Sequence, residues 1–206
     1  MEFSQSLLQL HIDERILRLR EGAKDVRDPS TPDETLNYLM YTVKVLNPLR
    51  ILEIGTAEGL SGAAMLFAAE RARLTSIEIE EERYLAAKKN FADLGLTDRA
   101  DLILGDAGEV LDCLSGVYDL IFLDGPKAQY VNYLPRLKKL LRTGGVLFAD
   151  DVLLYGWVNG KAETPPKRRS IVEKIRAYLR AVTSDKELIT SILDVGEGVS
   201  VSVKSV

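Results

Sequence analysis

From residue 50 onward, short apolar runs alternate with amphipathic ones, and this alternation restricts the chain to few architectures. The strand candidates are "RILEI" (50–54), "RLTSIEI" (73–79), "ADLIL" (100–104), "YDLIFL" (118–123) and "GVLFA" (145–149). Between them lie "GLSGAAMLFAAERA", "EEERYLAAKKNFADLG", "AGEVLDCL" and "KAQYVNYLPRLKKLLR", all with helical spacing. Short apolar strands joined by amphipathic helices form a parallel sheet covered on both faces. The end of the chain departs from the pattern. A helix, "RRSIVEKIRAYLRAV", precedes "ELITSILDV" and "VSVSVKSV", which flank "GEG" and predict an antiparallel hairpin. The predicted fold class is α/β, Rossmann-like, with a mostly parallel seven-stranded sheet. One domain is expected over 1–206, its N-terminal helices in 1–48 and its core in 49–206.

Leu7, Leu8, Ile12, Ile16 and Leu19 predict a helix over 5–20. "STPDE" (30–34) predicts the start of a second, with Thr31 as N-cap, Pro32 in the first helical position and Glu34 completing a capping box. Gly95 and Gly144 are expected to stop helices.

Composition removes several kinds of chemistry. Net charge is −4 and hydrophobic residues make up 46%, so no global basic field argues for nucleic acid, although a local patch can. A single cysteine, Cys113, excludes a disulfide framework and a cysteine zinc site, and is expected in the core. The one histidine, His11, is expected on a helix surface or interface, far in sequence from every other motif. Histidine-based triads and HExxH zinc chemistry are therefore excluded, and acid–base work falls to carboxylates, lysine or tyrosine. The early acidic and polar residues do not read as a signal peptide, and the longest weakly polar run, 59–69, is too short to span a bilayer. A cytoplasmic location is expected.

The first strand runs into "LEIGTAEGLSG". Gly55 and Gly59 allow close backbone approach to a ligand, and Glu53 suits a cationic ligand better than a pyrophosphate. The second strand ends on Glu78, which can accept from a ribose diol, and the third on "GDA", where Asp106 and Ala107 can border an adenine. Three successive strand ends of this kind predict a nucleoside cofactor, with S-adenosylmethionine favoured over NAD.

Strands four and five end on acid: Asp124 in "FLDGPK" and the pair Asp150–Asp151 in "FADDV". Neighbouring carboxylates repel by about 4 kcal/mol per close pair at an effective dielectric near 20. Protonation or a cation must offset this. An all-oxygen donor set selects a hard divalent ion, magnesium, manganese or calcium. Adjacent strand residues point to opposite faces, so Asp151 joins such a site only if the strand stops at Asp150; otherwise it caps a turn. Lys127 follows Asp124 at the start of a helix, where a dication, a sulfonium and the helix N-terminus would lower its pKa and suit it to act as a base.

These motifs, with "SIEIEEERY" and "VLFADDVLLYGWV", resemble the class I S-adenosylmethionine-dependent O-methyltransferases of the metal-dependent catechol and caffeoyl-CoA type. The likeness is closer to the bacterial branch that contains the tRNA 5-hydroxyuridine methyltransferase. It implies that Glu53, Gly55, Thr56, Ser61, Glu78, Asp106, Ala107 and Asp124 hold the cofactor, Thr56 through backbone and Ser61 through its hydroxyl. It further implies a metal on Asp124, Asp150 and Asp151, Lys127 as base, Tyr130 near the site, and a homodimer. The family usually has Asp-Asn where this chain has Asp150-Asp151, which adds a negative charge. The implied acceptor carries two adjacent oxygens, either tRNA wobble 5-hydroxyuridine or a catechol-like small molecule. A nucleoside-binding module without catalysis is the reading from another class.

For the acceptor, Tyr155 and Trp157 can stack a base or ring, or anchor a loop. Arg168 and Arg169, with Lys161, Lys167, Lys174, Arg176, Lys138, Lys139 and Arg142, can form a phosphate-binding stripe.

Overall fold

A computed structural model of the chain describes residues 7–22 and 31–206. Two short helices, α1 (Glu14–Leu17) and α2 (Leu19–Gly22), precede α3 (Asp33–Leu46). The core then runs β1 (Arg50–Ile54), α4 (Leu60–Ala68), β2 (Arg73–Glu78), α5 (Glu81–Asp93), β3 (Ala100–Leu104), α6 (Ala107–Cys113), β4 (Tyr118–Leu123), α7 (Tyr130–Leu140), β5 (Leu141–Ala149), α8 (Arg169–Ser184), β6 (Leu188–Leu193) and β7 (Val199–Lys204). Among the described residues the strands form a seven-stranded sheet in the order β3-β2-β1-β4-β5-β7-β6. β1 to β5 are parallel, while β7 runs antiparallel to β5 and β6. The order reverses between β1 and β4, and a crevice opens beyond the carboxyl ends of the strands at such a switch point.

Strand alternation sorts the core into two layers. Leu52, Ile54, Ile121, Leu123 and Leu147 face α6, α7 and α8. Ile51, Leu74, Leu120, Phe122 and Phe148 face α3, α4 and α5. Helix α8 buries Val172, Ile175, Tyr178, Leu179 and Val182, one apolar stripe at helical spacing. Full burial of such a side chain stabilises by about 1.5–3 kcal/mol.

Several local expectations are corrected. Residues 8–13 are not helical, so exposed His11 lies before α1 rather than on a helix; residues 5 and 6 of that expectation fall outside the described residues. Helix α3 begins at Asp33 with Pro32 as its N-cap and no side-chain cap. Thr31 instead offers its carbonyl to Arg20 Nη2 at 2.7 Å, and Arg20 also pairs with Asp33. β5 starts four residues earlier than the apolar run, and Gly144 lies inside it with φ 74°, so it stops no helix. Cys113 is exposed, because it occupies the last turn of the short α6, away from the buried Ala107 and Leu111. Among the described residues no helix is long and apolar enough to cross a membrane.

Candidate active site

The ends of the parallel strands are bonded to one another across the sheet. Gly105 N donates to Glu78 O, Gly55 N to Ile77 O, Asp124 N to Ile54 O and Asp150 N to Leu123 O, all at 2.8–3.0 Å. This ladder brings the loops after β1, β2, β3 and β4 to the wall of a cavity of about 510 Å³. Gly55, Thr56, Ser61, Glu78, Asp106, Ala107, Asp124 and Lys127 all line it. Gly55 has φ 97°, and a Cβ there would meet Asp124 O at 2.4 Å, so only glycine allows the β1 loop to lie against β4. Leu19 and Thr31, from the segment before the core, close one side.

At one end of the cavity Glu78 accepts three backbone N–H groups, from Ala57 (2.8 Å), Ile79 (2.9 Å) and Glu80 (2.9 Å). A carboxylate has about four lone-pair sites, so one stays available to a ligand hydroxyl. Asp106 caps α6 through Gly108 N at 2.7 Å. Tyr133 stands beside it, its hydroxyl pKa raised by burial and by the Asp106 charge.

Glu53 is set behind the wall rather than in it. Alternation along β1 sends its side chain, with that of Ile51, to the face covered by α4. There it is fully buried, with Oε1 accepting from Ser61 Oγ and Oε2 from Ser76 Oγ, both at 2.6 Å. Ser76 Oγ in turn lies 2.6 Å from Thr56 Oγ1. Burial pushes the Glu53 carboxyl up to about 7, against the two serine hydrogen bonds.

Beyond the other end of the cavity the acidic strand ends meet Lys127. Its Nζ lies 2.5 Å from Asp124 Oδ1 and 3.0 Å from Asp151 Oδ2. Burial pushes the Lys127 pKa down, but the Asp124 charge, with Tyr130 and Asp151, outweighs it and holds the ammonium well above the usual lysine range. The lowering expected from a dication and a sulfonium belongs to the loaded site; the acids around Lys127 by themselves act the other way. Asp150 is almost wholly buried, and its Oδ1 accepts from Asp151 N at 2.7 Å. Burial, with the charges of Asp124 and Asp151, raises its pKa well above the carboxylate range. Asp151 has φ 57°, so the chain turns at this residue, as sharing a site with Asp150 requires.

Among the described residues no three His, Cys, Asp or Glu side chains are drawn together as a ready metal cluster. The Lys127 ammonium takes the position between Asp124 and Asp151, and Asp150 is turned onto backbone. The donor set still suits a hard cation: all donors are oxygen, and Asp150 is a buried carboxyl with acidic neighbours.

The expected acceptor residues separate. Tyr130 is fully buried and donates to Leu123 O (2.9 Å) and Asp150 O (3.2 Å), so it ties the ends of β4 and β5 together rather than facing a ligand. Trp157 packs half-buried on the core beneath α8, while exposed Tyr155 lies against it with ring centroids 5.0 Å apart. Neither ring lines the cavity. The basic stripe is shorter than expected, because Lys161 pairs with Asp194, Lys138 with Asp185, Arg142 with Asp119 and Arg176 with Glu173. Lys167, Arg168, Arg169 and Lys174 remain as an exposed basic group at the start of α8, and α8 packs against the Lys127–Gln129 turn.

A family model described as O-methyltransferase matches residues 13–205. This chain belongs to the O-methyltransferase family. A Mycobacterium marinum protein named "Putative O-methyltransferase" is 33% identical over 188 residues, 90% of this chain and 82% of its own. A Staphylococcus aureus structure described as a "putative caffeoyl-CoA O-methyltransferase" is 30% identical, with TM-score 0.85 over 92% of each chain. The fold is also that of TomG from Streptomyces achromogenes, an O-methyltransferase of tomaymycin synthesis solved with SAM, at 23% identity, TM-score 0.85, and 99% and 94% coverage. Arg83, Gln129 and Tyr133 also line the cavity, and Ser76 stands behind its wall on Glu53; sequence reasoning missed all four. Ser76 carried a signal: a polar residue inside the apolar run "RLTSIEI", two positions before Glu78.

Proposed function

We propose that this chain is an S-adenosylmethionine- and divalent-metal-dependent O-methyltransferase that methylates 5-hydroxyuridine at the tRNA wobble position. The observation that carries the methyl-transfer reading is the line of groups along one cavity: Glu78 and Asp106 at one end, the β1 glycine loop in the middle, and Asp124 with Lys127 at the other. Glu78 would take one ribose hydroxyl, Asp106 and Ala107 the adenine edge, and Gly55, Thr56 and Ser61 the amino-acid end. Asp124 is the cavity acid nearest Lys127 and would face the positive sulfonium. Asp124, Asp150 and Asp151 would hold the metal, which when bound supplies a Lewis acid for an acceptor hydroxyl and its neighbouring oxygen. Once its ion pairs with Asp124 and Asp151 are relaxed, the Lys127 ammonium would give one proton to solvent, and the neutral Nζ would then take the hydroxyl proton. The walls would have to hold acceptor oxygen and methyl carbon in line, a constraint that can supply about 7–11 kcal/mol of the barrier.

The exposed basic group Lys167, Arg168, Arg169 and Lys174 supports a polyanionic acceptor. Labelled methyl transfer to tRNA carrying 5-hydroxyuridine, with and without EDTA, tests the reading. Incorporation that EDTA removes is expected; methylation of a catechol or caffeoyl-CoA alone would overturn the tRNA assignment. That second reading is supported by the name of the Staphylococcus aureus structure. A cytoplasmic homodimer is part of the same proposal.

A further inference from the structure

Behind the cavity wall lies a buried hydrogen-bonded chain that the proposed methyl transfer does not use. We infer that Glu53 is a positioning residue that loses its proton when a sulfonium enters the cavity and regains one when the neutral thioether is left, so that it favours the methyl donor over the spent product. The inference rests on the S-adenosylmethionine reading of the cavity.

Each hydroxyl in the chain has one proton to give. An ionised Glu53 only accepts, so Ser61 and Ser76 must both donate to it. Ser76 has then spent its proton, and the 2.6 Å contact with Thr56 requires Thr56 Oγ1 to be the donor. All three hydroxyl protons then run toward Glu53, and the wall residues Ser61 and Thr56 present lone pairs outward, an arrangement that suits a cation. A protonated Glu53 must itself donate, either to Ser61 or to Ser76. One hydroxyl proton, on Ser61 or Thr56, is then released toward the cavity, and the wall no longer favours positive charge.

The surroundings leave this balance to the ligand. Glu53 is fully buried, and the charges that act on it are Asp124 at the end of β4 and Glu78 at the end of β2, both negative. Helix α4 brings Ser61 and Gly62 against it, β2 brings Ser76, and Phe91 from α5 closes the space beside Gly62. The carboxyl therefore titrates near neutrality, at about 7. A sulfonium entering between Asp124, already ion-paired with Lys127, and Glu78 adds a further positive charge and drives the proton to solvent. On transfer, the C–S bond breaks with its electron pair left on sulfur, the C–O bond forms, and the acceptor's hydroxyl proton leaves. Sulfur is then neutral, and Glu53 takes one proton back from solvent.

Calorimetric titrations of S-adenosylmethionine and S-adenosylhomocysteine near pH 7, in phosphate and in Tris, measure the protons exchanged on binding. We expect more protons released with the sulfonium than with the thioether, and none of that difference in Glu53→Gln. Each unit by which the sulfonium lowers the Glu53 pKa widens the donor-to-product affinity ratio by up to about tenfold as pH rises through neutrality. Equal proton release for both ligands, or a difference that persists in Glu53→Gln, overturns the inference. Absence of binding by either ligand at any pH would instead defeat the cofactor reading. Ser76→Ala keeps the carboxyl but removes one hydrogen bond that lowers its pKa, so the step should move to higher pH; an unmoved step also counts against it.

Discussion

Lys127 Nζ lies 2.5 Å from Asp124 Oδ1, so an amine and a carboxylate aimed out of the end of β4 neutralise one another beside the cavity. Replacing Lys127 by Met removes the proposed base and leaves the cofactor end of the cavity intact. The expected result is a fall in kcat of about 10²–10⁴-fold. Cofactor affinity, measured by calorimetry, should stay close to that of the parent.

Glu78 is held rigid by three backbone donors and keeps one lone pair for a ligand. Hydrogen bonds to a charged group contribute about 1.5–3 kcal/mol, so Glu78→Ala should weaken S-adenosylmethionine binding by about 10–150-fold. Adenosine alone should lose affinity to a similar extent, because the lost contact is to the ribose. Equilibrium titration of both ligands checks this.

Tyr130 joins the ends of β4 and β5 through two carbonyls while fully buried. Tyr130→Phe strands those acceptors at a cost of about 1–3 kcal/mol. A fall in Tm of a few degrees is expected, with cofactor binding retained. A large loss of turnover without loss of stability would show instead that the hydroxyl serves the acceptor.

Asp119 gathers Arg142 Nε and the backbone N–H groups of Leu49 and Arg50, the latter two at 2.8 Å. Burial pushes its carboxyl up, but these hydrogen bonds outweigh it and hold it below the usual carboxylate range. A depressed folded pKa gives stability that is fully present above the unfolded value and lost as pH falls through the folded one. Asp119→Asn should therefore be less stable than the parent at pH 7, and the gap should narrow below about pH 4. Urea midpoints across that range measure it.

Much of the fold was legible because strand and helix periods differ and β1 to β5 each end on, or just before, a glycine or an acid. The strand-end residues Glu78, Asp106 and Asp124 were readable for the same reason: a doubly wound sheet collects what stands at its carboxyl ends. The burial of Glu53 was not readable. On a strand covered on both faces, apolar neighbours do not say which way a polar residue points. Tyr130 and Lys127 show a second limit, since the Asp150 carbonyl and Asp151 are brought to them by β4–β5 pairing rather than by nearness in sequence. Cys113 shows a third: a small apolar residue on a short helix ends exposed when the helix has only one buried side.

The most direct test of the central claim is transfer of a tritiated methyl group from S-adenosylmethionine to tRNA bearing 5-hydroxyuridine, followed by nucleoside analysis. The account predicts label on the 5-oxygen of the wobble uridine, one S-adenosylhomocysteine formed per methyl, and loss of both in Lys127→Met. Label appearing on nitrogen or carbon, or equal incorporation by Lys127→Met, would contradict it.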